Sequence, residues 1–96
     1  MPIKKFQEED NTAVFTTKFV IVDNNDITTV THDEDDGAWQ FLSSDNFDDF
    51  AKVAKVVCLG EMVAMDSSIL ELADMPVGYF AYRKFKGDEW IIEKKK

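Results

Sequence analysis

A single cysteine, Cys58, stands in the chain, so no disulfide can form within it, and neither a Cys-x-x-Cys pair nor a zinc spacing is present. That usage fits a reducing compartment. Histidine is equally scarce. His32 is the only one, and any Ser–His or Cys–His nucleophilic pair would have to use it. With four glycines, none clustered, there is no Gly-rich loop to cradle a phosphate. No stretch approaches the roughly 20 apolar residues of a membrane helix. The start MPIKKFQEEDN lacks an apolar core of signal-peptide length, which makes a cytoplasmic protein with no membrane partner the expectation. Clustered Lys and Arg are also missing. Direct nucleic-acid binding is disfavoured, because neutralising phosphates needs them.

What is present is one domain's worth of chain, 96 residues, of which 45% are hydrophobic. That share supports a core without metal or disulfide staples. The net charge of −8 is unevenly spread. Residues 7–49 hold 12 acidic residues against Lys18, a net −11, whereas residues 50–96 hold 7 acidic and 8 basic residues, a net +1. Such a field serves solubility, and it also suits a basic protein partner.

In chain order, residues 1–12 are polar and read as a loosely ordered end, with a single domain over residues 13–94. Ala13–Val22 is rich in β-branched and aromatic residues and reads as a strand. Asp23–Asp26 is a turn signal, since Asn and Asp bond their own backbone and tolerate left-handed φ. Ile27–Thr31 then completes a predicted hairpin. His32–Gly37 is a charged loop. Ala38–Leu42 is a strand with Trp39 and Phe41 on one face. Asn46–Ala54 has helical spacing.

Val56–Arg83 is the stretch around which the chain is organised. Val56–Leu59 reads as a strand, Gly60 as a bulge or close backbone approach, and Met62–Met65 as a continuing strand. Asp66 reads as a helix N-cap, with Ser68 and Glu71 as an alternative capping box. A helix near Ser67–Asp74 stops at Pro76, Gly78 gives turn freedom, and Tyr79–Phe85 is a strand. Lys86–Asp88 turns into a last strand, Glu89–Glu93. The expected fold class is α+β: a single small domain, with an antiparallel sheet of five or six strands and one or two short helices.

His32–Gly37 invites a metal reading. Counted from Asp33, however, Gly37 falls fifth and Ser44 twelfth, which mismatches a calcium loop, and the run reads as a solvated acidic loop. Cys58 lies in an apolar run, where a free thiol behaves as a small hydrophobe. Trp39 and Trp90 read as packing residues, although Trp is also enriched at binding hot spots. No set of acid, base and nucleophile stands out, and no metal or cofactor is called for. The rival classes are a small metal-dependent or hydrolytic enzyme using His32 and nearby carboxylates, and a small-ligand sensor built on an apolar pocket.

Several pieces occur together in an order that points further. Trp39-Gln40-Phe41-Leu42-Ser43 precedes an acidic stretch, then Leu59-Gly60, then Asp66-Ser67-Ser68-Ile69, then Pro76-Val77-Gly78 before an aromatic strand. The chain thereby resembles the small bacterial family called domain of unknown function 2185, grouped with the immunity proteins of polymorphic toxin systems. The likeness spans roughly Val30–Arg83. Ser67 stands where the family often has Pro, and Ser44-Asp45 where it often has Gly-Asp. The resemblance implies a non-enzymatic protein that binds and neutralises a toxin. Combined with the charge pattern, it makes Asp33, Glu34, Asp35, Asp36, Asp45, Asp48 and Asp49 the candidate partner-binding residues, facing a basic toxin domain. Trp39 and Phe47 are the possible apolar anchors.

Overall fold

The computed structural model describes residues 4–95. Its six strands are β1 (Ala13–Thr17), β2 (Thr29–His32), β3 (Trp39–Leu42), β4 (Ala54–Cys58), β5 (Tyr79–Tyr82) and β6 (Ile91–Lys94). They form one sheet in the order β4-β1-β3-β2-β5-β6. Short helices α1 (Lys18–Ile21), α2 (Phe50–Val53) and α3 (Leu59–Met65), and a 3-10 helix (Ser67–Leu72), complete an α+β domain. The sheet is mostly antiparallel but not wholly so. β1 runs parallel to β3, with Phe15 opposite Gln40.

That parallel pair replaces the predicted hairpin. Asn24 does adopt the left-handed φ expected of the turn, at 58°. The strands it was expected to join do not pair, because β3 lies between β1 and β2. The first strand also stops early. Alternation would carry Lys18 onto the face that holds buried Val14 and Thr16. A single helical turn instead leaves Lys18 exposed and returns Val20 to the core.

A second difference follows β4. The predicted strand through Gly60 to Met65 is helix α3, whose Leu59 and Met62, three apart, are both buried. Gly60 is therefore no bulge, but it does mark a close approach. Its N–H donates to the Asp10 carbonyl at 2.9 Å, and a Cβ there would lie 3.1 Å from Asp10 Cβ. Asp66 caps the 3-10 helix as expected, its Oδ1 accepting the Ser68 N–H at 3.0 Å. The helix expected over Asn46–Ala54 shrinks to the four residues of α2, capped by Asp49.

One face of the sheet carries the core. Val14, Val30, Trp39, Phe41 and Ala81 point to Leu59 and Met62 of α3 and to Ile69 and Leu72 of the 3-10 helix. Residues 1–3 of the expected loose end lie outside the described residues. Beyond them, Phe6 packs edge-on to Trp39 with ring centroids 5.0 Å apart. Glu8 accepts the Trp39 indole N–H at 2.8 Å. Trp39, only 2% exposed, is thus a core residue and no interface anchor.

Candidate functional site

The hairpin loop between β2 and β3 holds four of the acidic candidates. Asp33 N–H donates to the Ala38 carbonyl at 2.8 Å, and Gly37, at φ 71°, donates to the Asp33 carbonyl at 3.0 Å. Asp33 Oδ1 accepts from the Asp35 N–H and Asp36 Oδ1 from the Ala38 N–H, each at 2.9 Å. These turns hold the loop while leaving Glu34, Asp35 and Asp36 exposed.

The other three candidates follow the far end of β3. Asp45 Oδ2 accepts from Ser43 Oγ at 2.6 Å and Asn25 Nδ2 at 2.7 Å. Those two side-chain hydrogen bonds hold its carboxyl below the ordinary range, so it keeps its charge. Asp48 is exposed, and Asp49 Oδ1 accepts the Ala51 N–H at 3.0 Å. The seven carboxylates are therefore not one patch. They form two clusters, one at each end of β3, a strand of four residues that spans about 13 Å. Phe47 stands beside the second cluster, 39% exposed, its ring 5.8 Å from that of Phe50.

Between the clusters runs the second face of the sheet. Register places Val56, Phe15, Gln40, Thr31, Phe80 and Glu93 in one row. Leu42, Thr29, Tyr82 and Ile91 lie in the next. Every strand residue of the core cluster comes from the opposite face. Here Val56 is 62% exposed, Ile91 50% and Tyr82 36%, while Phe15, Leu42 and Phe80 are half-buried. Phe80 and Tyr82 stack at 5.9 Å. The Tyr82 hydroxyl donates to Glu93 at 2.9 Å, a bond that raises its pKa. Sequence reasoning missed this surface. Its signal was there in Tyr79–Tyr82, a strand with aromatic residues on both faces, where one covered face would leave every second residue polar.

His32 sits elsewhere, on the core face. Its ring stacks on Trp39, centroids 3.8 Å apart, and Nδ1 lies 2.8 Å from the Met75 carbonyl. A carbonyl can only accept, so Nδ1 carries the proton in this contact. A cleft of about 290 Å³ beside it is lined by Glu8, His32, Trp39, Asp74, Met75 and Pro76, among others. Among the described residues, no three His, Cys, Asp or Glu side chains converge to hold a metal ion. Cys58, expected inside an apolar strand, is exposed.

The motif residues Asp66 and Ser68 turn inward. Asp66 Oδ2 pairs with Arg83 Nη2 at 2.6 Å, with side chains 4% and 0% exposed. Arg83 also donates Nε to the Ile27 carbonyl at 3.0 Å and Nη1 to Ser68 Oγ at 2.8 Å. The guanidinium lies 4.0 Å from the Trp90 ring, and the Trp90 indole N–H reaches the Ser68 carbonyl at 3.2 Å. This network fastens the 3-10 helix to the end of β5. It belongs to the scaffold behind the open face.

Among the described residues, no helix is long and apolar enough to cross a membrane. Compared with protein-family models, with curated proteins and with solved structures, the chain has no significant match.

Proposed function

We propose that this chain is a non-enzymatic, cytoplasmic protein-binding domain that holds a basic protein partner across the open face of its sheet. The acidic loops at either end would guide the partner in. The model is the toxin-neutralising immunity family that the chain resembles. The observation that carries this reading is a partly exposed, partly apolar sheet face, among the described residues, lying between two clusters of carboxylates.

The dimensions favour a partner that reaches past the strands. Six strands about 4.8 Å apart and four residues long give a flat footprint of about 300 Å². A stable complex covers about 800 Å² on each side. An occupant must therefore extend onto the flanking loops, and Asp33–Asp36 and Asp45–Asp49 select a basic one. Charge steering raises the association rate, while Phe80, Tyr82 and Ile91 set the lifetime.

The test uses a purified toxin-like domain encoded by a gene beside this one, with rates measured by stopped flow. Asn at Asp33, Asp35 and Asp36 together should slow association and flatten its salt dependence. Ser at Tyr82 and Ile91 should mainly speed dissociation. Rates indifferent to salt and to both sets of substitutions would refute the mechanism.

A further inference from the structure

Among the described residues the sheet ends in two free edges, and they are built differently. β6 carries Glu93 and Lys94 and runs into Lys95, charges that discourage a strand from adding to it. β4 has five residues in unbroken register with β1, without Pro, Gly or bulge, and with Lys55 as its one charge. Val56 at its centre is 62% exposed.

Backbone alternation shows what that edge offers. Leu59 N–H donates to the Thr12 carbonyl at 2.8 Å, so position 59 faces β1. In an antiparallel ladder every second residue does the same. Lys55 and Val57 therefore bond β1, and Ala54, Val56 and Cys58 turn their N–H and C=O groups outward. The Ala54 N–H closes α2 on the Phe50 carbonyl. The Cys58 N–H reaches Glu61 Oε1 at 3.4 Å. That leaves Val56 as the outward residue with both its N–H and its C=O open among the described residues.

Charge decides which strand fits. Within three residues of β4, Lys52 and Lys55 lie toward its start and Glu61 beyond its end. A second β4 laid antiparallel would bring Lys52 of each copy near Glu61 of the other. A parallel one would set like charges together. The edge also belongs to the nearly neutral half of the chain, residues 50–96, which has no excess charge to attract a basic partner. We propose that β4 is a self-association edge: two copies join antiparallel about a twofold axis through Val56. Each Val56 N–H then donates to the Val56 carbonyl of the other copy. The two sheets become one of twelve strands, with both open faces on the same side. Lys55 meets Val57 of the second copy on the opposite face, so no like charges oppose.

Sedimentation of the full chain up to about 1 mM, the weak end of specific association, should show mass rising toward a dimer. Val56→Pro removes the outward N–H while leaving the β1 ladder intact, and should hold the chain monomeric with an unchanged far-ultraviolet spectrum. Val56→Lys, on an exposed side chain, should do the same. In a Cys58→Ala background, Val56→Cys should form an oxidised dimer roughly tenfold faster than Ser67→Cys, through the raised effective concentration. A monomer throughout with equal crosslinking rates, or a dimer that survives both Val56 substitutions, would overturn the proposal. Val56 also lies on the open face, but mass and crosslinking are read without the partner, and Tyr82→Ser with Ile91→Ser tests that face without touching β4, so the edge and the partner-binding face can fail separately.

Discussion

Removing Asp66 should be among the most damaging single changes in this domain. Its carboxylate does two things: Oδ2 neutralises buried Arg83, and Oδ1 caps the 3-10 helix at Ser68. Asp66→Ala leaves a guanidinium without its counter-charge where the native side chain is 0% exposed. Breaking a buried pair from one side costs about 3–5 kcal/mol, and losing an N-cap about 1 kcal/mol. A domain of this size holds about 5–14 kcal/mol in all, so the variant would be near its folding limit. Asp66→Asn separates the two effects. Asn caps as well as Asp, so this variant should lose about 3 kcal/mol and lie about 1 kcal/mol above Asp66→Ala. Replacing both partners, Asp66→Leu with Arg83→Met, should be closer to wild type than either single change. Urea unfolding followed by Trp fluorescence would report this directly, since Trp90 lies over Arg83. For a slope of about 1–2 kcal/mol per molar, a loss of about 4–6 kcal/mol lowers the Asp66→Ala midpoint by roughly 2–6 M. A shift in both single variants worth less than about 1 kcal/mol would refute the reasoning.

Three further outcomes follow from particular contacts. Trp39→Ala should lose about 3–5 kcal/mol in the same unfolding assay, because the ring is core and anchors Phe6 and Glu8. Gly78→Ala should lose about 1–2 kcal/mol in thermal unfolding, because φ is 83° there and the new Cβ would also meet Glu34 Oε2 at 3.4 Å. Asp45 should titrate below the ordinary value of about 3.9 when followed by carboxyl carbon shifts. Its folded pKa is lowered, so its contribution is present above the unfolded value and lost as pH falls through the folded one. Asp45→Asn should remove that part of the acid dependence.

The fold class and most strand centres were legible because β-branched and aromatic residues crowd into short runs. Trp39 and Phe41 declared their shared face by alternation, and Asp66 declared its cap. Strand partners were not legible. Asp23–Asp26 looks like a hairpin turn whether or not its flanking strands pair, and the insertion of β3 beside β1 is a long-range event. Leu59–Met65 went astray because seven residues, with Glu61 as the one charge among mostly apolar neighbours, have no decisive period, and the three-residue spacing between Leu59 and Met62 emerges only when Glu61 and Ala64 are seen facing water. The acidic residues were visible, but their division between the ends of β3 was not. Nor was Arg83 recognisable as the buried partner of Asp66, 17 residues away.

The central claim is that a partner sits on the open face between the acidic loops. Amide shift mapping with the toxin-like domain tests it most directly. The account predicts perturbations at Gln40, Thr31, Phe80 and Tyr82, continuing into Asp33–Asp36 and Asp45–Asp49, with the 3-10 helix Ser67–Leu72 unchanged. Perturbations concentrated on α3 and the 3-10 helix, with the open face silent, would contradict it.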